Sequence, residues 1–417
     1  MAAANNAVTL GLQLEKVRPT LATLFQLDQT LFTRIMARPK DVVSSRAERI
    51  DFLALSGGKA RVVNLDGGDM GRGSGPVNAV GNLSPVYFDY VMEWTKLAEI
   101  ATDNKEKAIA DYAKQILKNG MDQFKSNLDS LISYGDGANT LGVVTSYDAT
   151  NFIIYVDNAN RFYDGQDIDS YSALGTVSTA GITILSVDAN NKALYLTADA
   201  AVHPTVGYLL LENNSAGTAG TGINGITSLQ VSSNTGTYMG VTRANYPGKF
   251  STPTVNAGGA TLTPALARLL LNQLKIARGV DIKPSSGMIA FMGLDQEAAW
   301  ENTGLVITQI IQSGDNATGR DTLAKEQVKT IAGIEIVASL KAIPGRIDLL
   351  DMKEWFRTEI CPLDYYEAGG QTVFPPYGAS GGISAAYLTY LVWGGNIGNA
   401  NPRSGAFLSS LAIPSGY

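Results

Sequence analysis

The sequence predicts an α+β fold carrying a small inserted all-β domain, and three observations support it. Residues 103–133 place apolar side chains at Ile109, Tyr112, Ile116, Leu117, Met121, Phe124, Leu128, Leu131 and Ile132, the three-and-four spacing of one helical face. Residues 140–215 break instead into short strand-prone runs separated by turn residues. Beyond residue 225 helical and strand patterns mix. At 1.5 Å per residue the long helix runs to about 46 Å, past the usual globular range of roughly 8–20 residues, so it spans more than one local core.

With 417 residues, 45% of them hydrophobic, the chain can bury a large core and should divide into two or three domains. The 44 glycines and the 17% charged residues indicate many turns and close backbone approaches. The single cysteine, Cys361, rules out an intrachain disulfide and reads as a small buried apolar side chain. The first residues, MAAANNAVTLGLQLEKVRP, lack a basic start followed by an apolar stretch, so no secretory signal is expected. No apolar run approaches the roughly 20 residues needed to span a bilayer. A soluble protein made in the cytoplasm is the expectation.

Charge is segregated along the chain. Residues 140–215 hold eight acids (Asp148, Asp157, Asp164, Asp167, Asp169, Asp188, Asp199, Glu212) against Arg161 and Lys192, while the remainder is balanced, so the formal charge of -6 lies in that one segment. This marks a separate module. The missing basic footprint argues against tight nucleic-acid binding.

The elements are read in order. Residues 1–44 form an extended arm and a short helix: Pro19 favours a helix start, Leu21, Leu24, Phe25, Leu31, Phe32, Ile35 and Met36 share a face, and Pro39 ends the pattern. Residues 45–85 alternate weakly through Arg49, Asp51, Leu53 and Leu55, then Arg61, Val63 and Leu65, around Gly57 and Gly58. They continue through LDGGDMGRGSGP. This pattern predicts a long, poorly buried β-hairpin, a loop uncommon in a compact domain unless it has a task. Residues 86–139 hold a strand-prone stretch and the long helix. In residues 140–215 the runs FIIYV, ITILSVDANNKALYLT and GYLLLE predict strands of a small barrel or sandwich, followed by a Gly, Ser and Thr-rich linker, NNSAGTAGTGING. In residues 216–417, Thr263 caps a helix starting at Pro264, with Leu266, Leu269, Leu270 and Leu274 on one face and Gly279 at its end. A strand at 288–292, a helix at 295–311, and strands at 331–338, 347–350 and 387–393 follow. No repeat period stands out.

Candidate chemistry is sparse. A nucleophile–imidazole pair needs His203, the only histidine, which sits in the acidic module about 150 residues from Cys361 and reads as a surface or turn residue. Zinc sites built from Cys and His are excluded by count. The glycines at 71, 73 and 75 lack the Gly-Lys-Ser/Thr ending of a phosphate loop and no helix follows them. Asp164, Asp167 and Asp169 depart from calcium-loop spacing and read as a solvated turn. Trp94, Trp300, Trp355 and Trp393 read as core. No catalytic, metal or cofactor residue is assigned, and no enzyme is expected.

Three stretches in order, GLQLEKVRPTLATLFQLDQTLFTRI, DGGDMGRGSGP, and LSPVYFDYVMEWTKLAEIATD leading into the long helix, resemble the major capsid proteins of tailed bacteriophages of the Hong Kong 97 type. The resemblance covers most of the chain outside residues 140–215 and lies in the order of elements. It implies an N-terminal arm, an extended loop, a spine helix, and peripheral and axial domains, with residues 140–215 as an inserted domain. It also implies a shell of pentamers and hexamers around double-stranded DNA without sequence-specific binding, assembled in a bacterial cytoplasm. The implied partners are a separate scaffolding protein, a portal protein and a decoration protein. Inter-subunit contacts are expected at Leu12, Leu14, Glu15 and Lys16 of the arm and at Lys59, Arg61, Asp69 and Arg72 of the loop. An encapsulin-like protein-cargo compartment would share the fold. A β-rich surface or carbohydrate-binding protein would normally carry an export signal.

Overall fold

The computed structural model describes residues 29–37, 48–60, 72–95, 106–198, 203–218, 220–279, 287–311, 330–331, 333–375 and 386–415. The long helix spans Glu106–Tyr134, 29 residues, and stops at Gly135, whose φ of 48° is the left-handed conformation that ends helices. Phe124, Leu128, Leu131 and Ile132 are fully buried, as the periodicity requires, but so are Ser126, Asn127, Asp129, Ser130 and Ser133. The polar face of this segment is therefore covered as well, and each partner that covers it must supply hydrogen bonds.

The first partner is the short N-terminal helix, which occupies Thr30–Arg34 and is followed by a two-residue strand, Met36–Ala37. Its own residues provide no side-chain cap. Instead Asp129 Oδ1 of the long helix accepts the N–H groups of Leu31 and Phe32, each at 2.7 Å. Leu31, Phe32 and Ile35 are buried beside it.

A four-stranded sheet lies alongside, in the order Met36–Ala37, Trp355–Tyr365, Ala386–Asn399, Val86–Thr95. Val86–Thr95 comes so close to the helix that a Cβ on Gly120 would stand 2.1 Å from Met92 Sδ. The sequence reading missed Trp355–Tyr365 and ended Ala386–Asn399 six residues early. The extra residues, GGNIGN, look like a loop, yet a Cβ on Gly398 would meet the Phe356 ring at 2.4 Å. Their glycines serve close strand packing. Trp355 and Trp393 are core residues, whereas Trp94 and Trp300 are half-buried. Cys361 is half-buried on an outer stretch of Trp355–Tyr365, not a fully buried thiol.

A six-stranded mixed sheet follows, ordered Thr254–Asn256, Ala406–Ser409, Ile347–Asp351, Met288–Met292, Ile334–Ala338, Thr330–Ile331. The expected single strand at 331–338 is a tight hairpin, Thr330–Ile331 pairing antiparallel with Ile334–Ala338. Thr263 caps Pro264–Arg278 by accepting from Leu266 N. That helix buries Ala267, Leu270, Leu271 and Leu274, while Leu269, assigned to the same face from spacing, is exposed. The second helix spans Leu294–Ile311.

Residues 140–212 form a closed six-stranded barrel, ordered Leu209–Glu212, Thr140–Asp148, Ile153–Val156, Ala193–Leu196, Thr176–Asp188, Asp167–Ala173. Closure removes free edges from a small β unit. The expected solvated turn holds for Asp164, exposed in a turn, and for exposed Asp167 at the strand's start, but not for Asp169, which is buried and accepts Gly181 N at 2.8 Å and Asn214 N at 3.0 Å. The described residues of the linker at 213–225 are tied to the end of the long helix. Gly220 and Gly222 donate to Gly137 O at 2.8 Å, and Ser228 N and Gly225 N donate to Gly135 O. Both chain crossings into the barrel are thus tied together at the end of the long helix.

Asp129→Ala should leave two buried N–H groups unpaired and lower stability by about 2–4 kcal/mol. Urea unfolding of purified subunits measures it, and an unchanged midpoint would contradict the tie between the two helices.

Candidate functional site: an outward hairpin and a three-way junction

Glu48–Leu55 pairs antiparallel with Val77–Leu83. The expected second arm at 61–65 lies outside the described residues, and the true partner strand is the later one. One face of the ribbon is packed: Phe52 meets Phe250 edge-on at 5.2 Å and Tyr238 at 6.1 Å, and Asn82 N donates to Met239 O at 2.8 Å. The base is therefore better buried than expected. The other face points away and carries Leu53 (65% exposed), Leu55 (48%), Val77 (38%) and Val80 (41%) beside an Arg49–Asp51 ion pair. Register places Leu53 opposite Asn78 and Leu55 opposite Val77, so among the described residues this face presents exposed apolar surface.

Of the residues singled out in the sequence, Leu12, Leu14, Glu15, Lys16, Arg61 and Asp69 lie outside the described residues. Lys59 and Arg72 are described, and both are exposed. Gly58 N donates to Ser74 O at 2.7 Å, closing the ribbon just before these two cations. The outward apolar set was missed, although Leu53 and Leu55 alternate in phase with Arg49 and Asp51.

The second feature is a buried junction of the long helix, the barrel and the turn at residues 339–342. Arg161, fully buried, donates Nε to Lys341 O (2.9 Å), Nη2 to Ala342 O (3.2 Å), and Nη1 to Asp157 Oδ2 (2.9 Å) and Leu141 O (3.2 Å). Its guanidinium lies 4.9 Å from the centre of the Tyr134 ring. Asn158 Nδ2 adds bonds to Leu340 O and Ala342 O at 2.8 and 3.1 Å. Lys341, also buried, sends Nζ to Ser126 Oγ at 2.6 Å and to Ser126 O on the long helix. Burial, with Asp157 nearby, pushes the Tyr134 hydroxyl up to about 12. A planar fork with five donors suits a site made of main-chain carbonyls.

A little further along the same seam, Glu212 Oε2 accepts Gln166 Nε2 at 2.9 Å and Asn127 Nδ2 at 3.3 Å. His203 is exposed on the barrel against Tyr147, ring centres 5.1 Å apart. Among the described residues no group of three or more His, Cys, Asp and Glu side chains is arranged to hold a metal.

No family model and no curated protein matches the chain. Solved structures do. The capsid asymmetric unit of cyanophage A-1(L) superposes with a TM-score of 0.55 at 12% identity, over 95% of this chain and 96% of that one. The chain has the Hong Kong 97-type phage capsid fold. The capsid of the native GTA particle (TM-score 0.49, 10% identity, 95% of each chain) and an encapsulin complex from Synechococcus elongatus (0.45, 10%, 97% and 95%) are more distant in shape.

Among the described residues of this Hong Kong 97-type fold, Glu212 is a carboxyl set to respond to pH. Burial outweighs the two amide donors and pushes its carboxyl up to about 7, with Asp169 and Asp167 adding to the effect. The folded chain therefore holds a proton that the unfolded chain releases near 4.5. The stabilisation is complete below that value and is lost as pH rises through about 7. Glu212→Gln keeps an acceptor for both amides without the charge. It should flatten the pH dependence between roughly 4.5 and 7 and raise stability at pH 8 by about 2–3 kcal/mol, read from urea midpoints at pH 5 and pH 8. A parallel pH profile in both proteins would refute the assignment.

Proposed function

We propose that this protein is the major capsid protein of a tailed phage, self-assembling into the icosahedral head shell that encloses a double-stranded DNA genome. The observation that carries the reading is the capsid-type fold along nearly the whole chain, joined to a hairpin whose outer face is apolar and uncovered. A shell subunit has to cohere along its edges and stay indifferent to the polyanion inside, since a basic wall would hold DNA through counterion release. Outside residues 140–215 acids and bases balance, which suits that requirement. The role is structural, not enzymatic.

On this reading residues 1–44 are the arm, 45–85 the extended loop, 86–139 a peripheral strand and the spine, 140–215 an inserted domain, and 216–417 the axial domain with the rest of the peripheral domain. Leu12, Leu14, Glu15 and Lys16 of the arm, and Lys59, Arg61, Asp69 and Arg72 of the loop, contact neighbouring subunits in pentamers and hexamers. A separate scaffolding protein directs assembly, a portal protein occupies one vertex, and a decoration protein is a further partner. The protein is made and assembled in the host bacterial cytoplasm and ends in the virion. Among the described residues no helix is long and apolar enough to cross a membrane.

Deleting residues 57–75 should yield folded subunits that form no shells, judged by circular dichroism and negative-stain microscopy; shells of normal yield would contradict the assignment. Coexpression with neighbouring genes should be needed for uniform shells, and enzyme cargo in place of DNA inside them would favour the encapsulin-like compartment.

Because its excess charge is acidic and its crossings are tied together, residues 140–215 are placed on the outer surface. Protease should nick the exposed turns at Asp148 and Asp188 in intact shells. Full protection there would place the barrel inside.

A further inference from the structure

A repeat that the sequence alone did not reveal lies inside the barrel. Asp148-Ala-Thr-Asn151 and Asp188-Ala-Asn-Asn191 stand forty residues apart, and Ser146 and Tyr155 recur in the same phase as Ser186 and Tyr195. The geometry follows suit. In both turns Asp Oδ1 accepts the N–H groups two and three residues on, and Oδ2 accepts the Asn side chain three residues on at 2.8 and 2.7 Å. The residue after each Asn, Phe152 and Lys192, has a positive φ of 56° and 53°. A register shift falls between Val144 and Ser146 in one half and between Ile184 and Ser186 in the other.

The main-chain bonds also come in pairs. Gly165 N donates to Ile184 O and Gly207 N to Val144 O, both at 2.9 Å; Ile184 N donates to Gln166 O and Val144 N to Tyr208 O, at 2.9 and 2.8 Å. Leu196 N reaches Phe152 O and Val156 N reaches Lys192 O, both at 2.9 Å. The strand order reads the same when each strand of Thr140–Asp148, Ile153–Val156, Asp167–Ala173 is exchanged for its counterpart in Thr176–Asp188, Ala193–Leu196, Leu209–Glu212. Independent halves have no reason to agree in turn chemistry, bulge position and bond pairing together.

We propose that the barrel is a tandem duplication of one strand–turn–strand–loop–strand unit, and that its two equivalent loops have divided roles, the first fixing the barrel to the body. The first loop carries Asn158, whose Nδ2 donates to Leu340 O and Ala342 O, and Arg161, whose Nε and Nη2 donate to Lys341 O and Ala342 O while Nη1 stays within the barrel on Asp157 and Leu141 O. Ala198 stands where Asn158 does, and cannot make those bonds. His203, Thr205 and Val206 of the second loop are exposed, and this loop is two residues longer. Sequence identity has been kept where the barrel needs it, in the turns. It has been lost in the loop whose first copy holds the body. The inference is independent of the capsid reading.

The test is hydrogen exchange on the full chain. Gly165→Ala and Gly207→Ala, both at positive φ with open space for the new Cβ, should each weaken barrel protection by roughly tenfold, equal within about threefold. Reciprocal exchange of residues 148–156 with 188–196 preserves composition and should leave the barrel protected. If that chain fails to fold, the glycine pair decides: a loss confined to one glycine overturns the equivalence. The double variant N158A/R161A should deprotect the 339–342 turn and the crossings at 135–139 while barrel strands stay protected. Collapse of the strands with them overturns the division of roles.

Discussion

A helix buried on all sides cannot leave its polar residues to water, and that constraint organises this molecule. Between residues 123 and 133 the apolar face supplies Phe124, Leu128, Leu131 and Ile132 to the core. The polar face then sorts three partners by chemistry. Asp129 offers a carboxylate to the bare N–H groups of the short helix, Ser126 offers its oxygens to the Lys341 ammonium, and Asn127 offers an amide to Glu212. Apolar burial would hold these elements near the helix in many registers. Hydrogen bonds to single atoms in a low-dielectric interior select one.

The helix was legible from its three-and-four spacing, and the strands of residues 140–215 from short β-prone runs between turns, which left a barrel or a sandwich open. The long helix, the Thr263-capped helix and the strand at 288–292 all appear close to the positions their spacing indicates. What failed was everything that depends on a distant partner. GGNIGN reads as loop until Phe356 and Thr358 are laid beside it. NNSAGTAGTGING reads only as a Gly, Ser and Thr-rich linker, with no sign that the carbonyls of Gly135 and Gly137 receive N–H groups of Gly220, Gly222 and Gly225. Asp169 reads as a solvated acid until the N–H groups of Gly181 and Asn214 converge on its buried carboxylate.

The junction was invisible for a related reason. Arg161 and Lys341 are long cations in a chain with few charges, and nothing local separates them from surface residues. Arg161 depends on the carbonyls of Lys341 and Ala342, about 180 residues away, and on that of Leu141, while Lys341 depends on Ser126 of the long helix. A buried cation with a single carboxylate partner is costly unless its other donors are met. Here the carbonyl oxygens of the 340–342 turn meet them, which makes the junction demanding in geometry and hence a rigid mount for the barrel.

The hairpin follows the opposite principle. Its inner face is secured by Phe52 and Phe250, so the ribbon has a defined direction, but its outer face leaves Leu53, Leu55, Val77 and Val80 in water. Fully burying one such side chain is worth about 1.5–3 kcal/mol, so a neighbour lying on this face could gain several kcal/mol per copy before the ordering cost of association is met. A single contact of that size would be weak. Repeated around a closed shell, each contact is made at the high effective concentration set by the others, so subunits that interact feebly in pairs cohere as a shell. On the capsid reading such a subunit needs a stiff body, which the long helix and its polar partners would provide, and an adhesive edge, which the ribbon's outer face, exposed among the described residues, would provide.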